Sequence, residues 1–176
     1  LEQAAELAAW VQRRTDGGTR FDAVVSSTLS RAILTARPCA AVLGIEPRAD
    51  ARLVEVDFGR GEGMTRGEMV GVFPEAVEAF LARPATSPLP GGERGIDAVA
   101  RARAALAELV AAHPDGTVLV VAHSTLTRIL VASLLGTDVE RYRDLFPRLG
   151  NCHVTSLEIG RDGAAALLAF NVPPVA

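Results

Sequence analysis

With 176 residues, 49% of them hydrophobic and 22% charged, the chain has the size and composition of one globular domain able to bury a core. A net charge of −3 and a pI near 5.6 leave no basic footprint for nucleic acid, and no apolar run approaches the ~18 residues that span a bilayer. All 18 basic residues are arginine, which excludes a Walker phosphate loop, a pyridoxal Schiff base and a lysine general base.

The opening LEQAAELAAWVQRR sets Leu1, Ala4, Ala5, Leu7, Ala8 and Val11 on one face at helical spacing and predicts an amphipathic helix. FDAVVSS predicts a short strand over 21–25 ended by two serines. A second helix, TLSRAILTARPCAAVLG, closes at Gly44, and Pro38 inside it predicts a kink or local break. ARLVEVDFG reads as extended, RGEGMTRGEM as a turn-rich loop, and PEAVEAFLAR as a short helix with Pro74 at its first position. PATSPLPGGERG is a loop, and the long helix IDAVARARAALAELVAAH is stopped by PDG. The strand VLVV, the helix LTRILVASLLG and a helical VERYRDLF follow. Last come the strands HVTSLEIG and AALLAFNV, joined by RDG as an antiparallel hairpin at one side of the sheet.

Alternating strands and helices predict an α/β sandwich, a mostly parallel sheet with helices on both faces, and no linker divides it. Cys39 and Cys152 are far apart and form no C-x-x-C pair, which fits a reducing cytoplasm. With three histidines and none at ligand spacing, no structural metal site is expected.

Two stretches nearly repeat each other: VVSSTLSRAIL (24–34) and VVAHSTLTRIL (120–130). Each is a strand, a hydroxyl-rich turn and a helix start, with Ser124 and Thr125 as candidate caps in the second. If the strands are parallel neighbours, both junctions open on one sheet edge, where open α/β sheets bind anions. Arg31 and His123 would then face one small volume, and a guanidinium, an imidazole and backbone N–H groups suit a phosphate. Taken alone, Arg31 is a solvated helix arginine and His123 a turn residue. Glu55, in LVEVDFGRGEG, is a candidate acid for a leaving oxygen. Asp57 and Glu62 are its rivals, and alternation does not choose between Glu55 and Asp57. His113 and His153 read as structural.

SSTLSRAILTA, LVEVDFGRGEG, PGGER and VVAHSTLTRIL stand in the order and spacing of the histidine phosphatase superfamily, the phosphoglycerate-mutase-like proteins, which the chain resembles throughout. The resemblance implies a three-layer α/β sandwich and a phosphohistidine route without metal or cofactor. It implies that Arg31 and His123 bind the phosphoryl group, with Ser124 beside them, and that Glu55 is the proton donor and later the base for water.

This sequence departs from the pattern at Gly61, where tryptophan is usual, at Arg94, often serine, and at Ser124, often glycine. The nucleophilic Arg-His-Gly triplet of the family's opening strand does not occur, and the chain begins in what resembles the following helix. The expectation is one domain, 1–176, without its first strand; that segment would be on the order of 20–30 residues. Alone, the span should be inactive and poorly stable.

The function expected is a cytoplasmic phosphomonoesterase acting on a small phosphorylated substrate, with neither nucleic acid nor membrane as partner and the oligomeric state open. Alternatives are mutase-type phosphoryl transfer, which the short stretch between Gly63 and Pro90 disfavours, and a non-catalytic phosphate-binding module. A serine hydrolase fits poorly, since no G-x-S-x-G occurs.

Overall fold

Ala23–Ser27 (β1) carries two valines whose side chains point to opposite faces, and both are buried. In the computed structural model, which describes residues 2–174, β1 lies between β2 (Arg48–Asp50) and β3 (Val118–Val121) in a parallel sheet of order β2-β1-β3. Val25 pairs with Arg48 on one side and Val120 on the other. Val24 packs with Ala36 and Ala40 of α2 (Ser30–Leu43), whereas Val25 packs with Ala105 and Leu109 of α5 (Gly95–Ala112). Helices therefore cover both faces, the three-layer α/β arrangement expected.

On the α2 side, Leu7, Ala8 and Val11 of α1 (Glu2–Asp16) close over Cys39. Leu1 lies outside the described residues, and Ala5, expected on the same face, points to solvent. On the other side α6 (Ser124–Leu134) lies against α5, where Leu126, Ile129 and Leu130 join Ala98 and Ala102 in a buried cluster. Tyr142 of α7 (Tyr142–Leu145) belongs to that cluster. Both cysteines are free thiols, and burial pushes Cys39 up to about 11, which makes it inert at neutral pH. No helix among the described residues is long and apolar enough to cross a membrane.

Several expectations need correction. The two serines do not follow the strand but are its last two residues, buried, with Ser26 paired to Val121 and Ser27 to Asp50. The hairpin β4 (Val154–Ile159) and β5 (Ala165–Val172) is antiparallel, yet it forms its own two-stranded sheet instead of bordering the parallel one. Residues 51–59 are not an extended run. The Asp50 carboxylate accepts the Arg52 N–H at 2.9 Å and winds Ala51–Leu53 into a 3₁₀ turn, leaving the strand before it. The loop read at 60–69 contains the start of α3 (Arg66–Val72), because Thr65 and Glu68 form a reciprocal capping box. A second short helix, α4 (Pro74–Ala82), follows it.

Helix α2 runs unbroken through Pro38. One lost N–H bond is outweighed by the packing of Ala36, Cys39 and Ala40 on either side of the proline. The space beside Gly61 is filled by Leu89 and Met69, so the small residue here is matched by larger neighbours.

Two loops meet backbone to backbone beside the sheet. Glu93 N–H donates to Asp57 O at 2.8 Å, and Arg60 N–H donates to Pro90 O at 2.9 Å. Gly59, at φ 54°, sits at this junction, and a Cβ there would overlap the backbone of Pro90–Gly92. Gly63, at φ 73°, has open space around it. Gly63→Ala should therefore cost about 1–2 kcal/mol for the left-handed backbone alone. Gly59→Ala should cost about 1–3 kcal/mol more through overpacking. Denaturant titration of both variants checks the difference, and equal losses would contradict the close approach.

Candidate active site

Because β1 and β3 run parallel and in register, their carboxyl ends open at one edge of the sheet. Arg31 is the second residue of α2, directly after β1, and His123 is the N-cap of α6, directly after β3. The two side chains meet there: Arg31 Nε donates to His123 Nδ1 at 3.2 Å. Since Nδ1 accepts, Nε2 carries the ring proton and donates to Ser27 Oγ at 2.8 Å. The same hydroxyl oxygen accepts Leu29 N–H at 3.2 Å.

His123 is only 7% exposed. Burial first, and then the Arg31 charge, hold its pKa below the ordinary imidazole value, with Glu55 pulling the other way. The ring is thus kept neutral and is polarised from both nitrogens.

Glu55 approaches from the irregular segment after the 3₁₀ turn. Its Oε1 accepts Leu126 N–H at 2.8 Å and Val56 N–H at 3.0 Å, and its Oε2 accepts Thr125 N–H at 3.0 Å. The carboxylate therefore caps α6. This corrects the expectation that Ser124 and Thr125 hydroxyls would do so, and neither α6 nor α2 has a side-chain cap from its own N-cap residue. A carboxylate with two acceptor oxygens and a full charge suits the positive end of a helix better than a hydroxyl. It also means that these two α6 amides, expected to face an anion, already face Glu55.

Ser124 is exposed at the first position of α6 and makes no side-chain hydrogen bond to Arg31, His123 or Glu55 among the described residues. The rival acids are used elsewhere. Asp57 Oδ1 accepts Gly59 N–H at 2.7 Å and Glu62 Oε1 accepts Phe58 N–H at 3.0 Å, each closing a turn of its own loop.

Of the remaining histidines, His113 caps α5 at the opposite end of β3. His153 stands one residue before β4, not within a strand, and its Nδ1 is 2.8 Å from Asn171 Oδ1. Ser27 escaped sequence reasoning, although its place as the second hydroxyl at a strand end was the available signal. No cluster of three or more His, Cys, Asp or Glu that could hold a metal occurs among the described residues.

The family model of the histidine phosphatase superfamily (branch 1) matches residues 1–172. The chain belongs to this superfamily. Phosphoserine phosphatase 1 of Hydrogenobacter thermophilus is 31% identical over 122 residues, 69% of this chain and 58% of that protein. Glucosyl-3-phosphoglycerate phosphatase of Mycobacterium tuberculosis is 35% identical over 142 residues, 76% of this chain and 63% of the relative. The solved mycobacterial glucosyl-3-phosphoglycerate phosphatase with inorganic phosphate superposes with a TM-score of 0.86 at 31% identity, covering 99% of this chain and 86% of that one. The chain thus spans less than two thirds of the length of either relative matched by sequence.

The depressed pKa of His123 has a stability consequence in this histidine phosphatase domain. The unfolded chain takes up the proton near the ordinary value of about 6.5, and the folded chain does so only at lower pH. The stability that the neutral ring contributes is present above that value and is lost as pH falls through the folded-state pKa. His123→Gln should flatten the fall of the urea midpoint below about pH 6.5. An identical pH slope in both proteins would assign the titration to another group.

Proposed function

We propose that this chain forms the phosphoryl-binding and proton-donating part of a phosphomonoesterase for a small phosphorylated molecule. The observation that carries the reading is the convergence of Arg31 and His123 within 3.2 Å, with the Glu55 carboxylate on the same helix end. Arg31 offers its guanidinium fork to two phosphoryl oxygens, and His123 donates from its ring to another. A phosphate dianion entering between them displaces their mutual hydrogen bond and favours protonation of the ring.

Protonated as the substrate binds, Glu55 then gives that proton to the departing alkoxide, and the carboxylate so formed takes one from the attacking water. The covalent route needs a second histidine as nucleophile, and we assign that part neither to His113, at the opposite end of β3, nor to His153, whose ring is tied to Asn171. Ser124, exposed at the start of α6, is in this reading a substrate contact from the solvent side. The segment between Gly63 and Pro90 holds the short helices α3 and α4, and α3 buries no residue. So short a segment offers little to enclose a phosphoenzyme, which supports hydrolysis over mutase chemistry.

Arg31→Ala in the full natural protein should weaken orthovanadate binding by roughly 1.5–3 kcal/mol, the worth of a charge-assisted hydrogen bond. An unchanged affinity, read by competitive inhibition, would return Arg31 to the status of a solvated helix residue. Residues 1–176 expressed alone should bind vanadate yet leave p-nitrophenyl phosphate intact. Vanadate-sensitive turnover by that span would place the nucleophile within it, with His153 the first to test.

A further inference from the structure

The backbone around Glu55 belongs to no strand or helix. It lies between the 3₁₀ turn Ala51–Leu53 and a second one at Gly59–Gly61, so no ladder holds its carbonyls. One side chain does. Arg101 of α5 donates from Nη1 to Arg52 O at 2.7 Å and from Nη2 to Glu55 O at 3.2 Å. Its other edge is gripped by the Glu93 carboxylate, Nε to Oε1 at 2.8 Å and Nη2 to Oε2 at 2.9 Å. Every nitrogen of the guanidinium is engaged, and the two side chains are only 20% and 23% exposed.

Glu93 is itself tied to the Glu55 loop, through its N–H on Asp57 O. Arg101 also rises from a rigid base, since Ala98, Ala102 and Ala105 on its helix are completely buried. A bidentate, half-buried fork of this kind fixes direction as well as distance.

We propose that Arg101, held in place by Glu93, is a positioning residue that aims the Glu55 carboxylate at the leaving oxygen. The proposal rests on the reading of Glu55 as proton donor. Arg101 touches neither Arg31 nor His123 by hydrogen bond, and its charge reaches His123 only as the smallest of several influences, so it acts chiefly on the proton transfer. Glu93, in the PGGER loop, acquires a part in the same device.

Arg101→Lys and Glu93→Gln in the full natural protein test it. The first keeps the positive charge but loses the planar fork, and the second keeps the shape but loses the ion pair. Both should lower kcat for an alkyl phosphate by about 100-fold, the typical effect of a misplaced catalytic group. Turnover of p-nitrophenyl phosphate, whose leaving group needs little protonation, should fall by less than about tenfold, with vanadate inhibition nearly unchanged.

Glu108→Gln, on the same helix as Arg101, removes the ion pair that α5 makes with the Arg52 side chain of the 3₁₀ turn without touching Glu55, and should leave the ratio of the two substrates unaltered. Glu55→Gln separates the two ideas. If it shows the leaving-group dependence while Arg101→Lys and Glu93→Gln lose both substrates equally, or lose vanadate binding, the positioning role is overturned and the acid role stands. If Glu55→Gln itself loses both substrates equally, the acid role falls and the proposal with it.

Discussion

The in-register parallel pairing of β1 with β3 is the constraint on which the site depends. Ser26 lies opposite Val121, so the two strands stop nearly level and hand the chain to α2 and α6 at one sheet edge. Ser27 and Arg31, both from the β1–α2 junction, then meet the His123 ring of the β3–α6 junction. A slip of one residue would turn the side chains of a strand to opposite faces. Val25 would leave α5, and the Ser27 hydroxyl would no longer meet the imidazole. Apolar burial on both faces of β1 therefore enforces the geometry of the polar site above it.

Around that edge the charges are distributed so that no buried charge is left uncompensated. His123 is buried and neutral, with both nitrogens bonded, which avoids the desolvation cost of an imidazolium. Arg31 keeps its guanidinium at the surface, where water solvates what the histidine does not. The Glu55 carboxylate lies on the first-turn amides of α6, where helix-dipole attraction contributes about 0.3–2 kcal/mol. That charge occupies the amides a phosphate could have used. In the function proposed above, Arg31 and His123 are left as its principal partners.

The loop architecture serves the same end by close backbone approach. The segment carrying Glu55 and the PGGER loop are joined by main-chain hydrogen bonds at a point where Gly59 admits the contact. Arg101 closes the bundle from α5. An acid on an otherwise irregular segment thus inherits the rigidity of a helix.

Much of this was legible in the residues. Apolar period marked α1, α5 and α6, and the paired junctions VVSSTLSRAIL and VVAHSTLTRIL indicated two like strand ends whose Arg31 and His123 share one volume. The Thr65 and Glu68 spacing carried a helix start too, but the surrounding glycines masked it. Local pattern suffices in such cases because helix and strand periodicity are properties of neighbouring residues. Tertiary structure alone decided the rest. Alternation could not separate Glu55 from Asp57, and it is the approach of that loop to α6 that gives Glu55 the amides of Thr125 and Leu126. The caps failed for the same reason, since a carboxylate from 70 residues away competes with the hydroxyl next door. The pairing of Arg101 with two main-chain carbonyls leaves no trace in composition or spacing, because a backbone oxygen is the same at every residue.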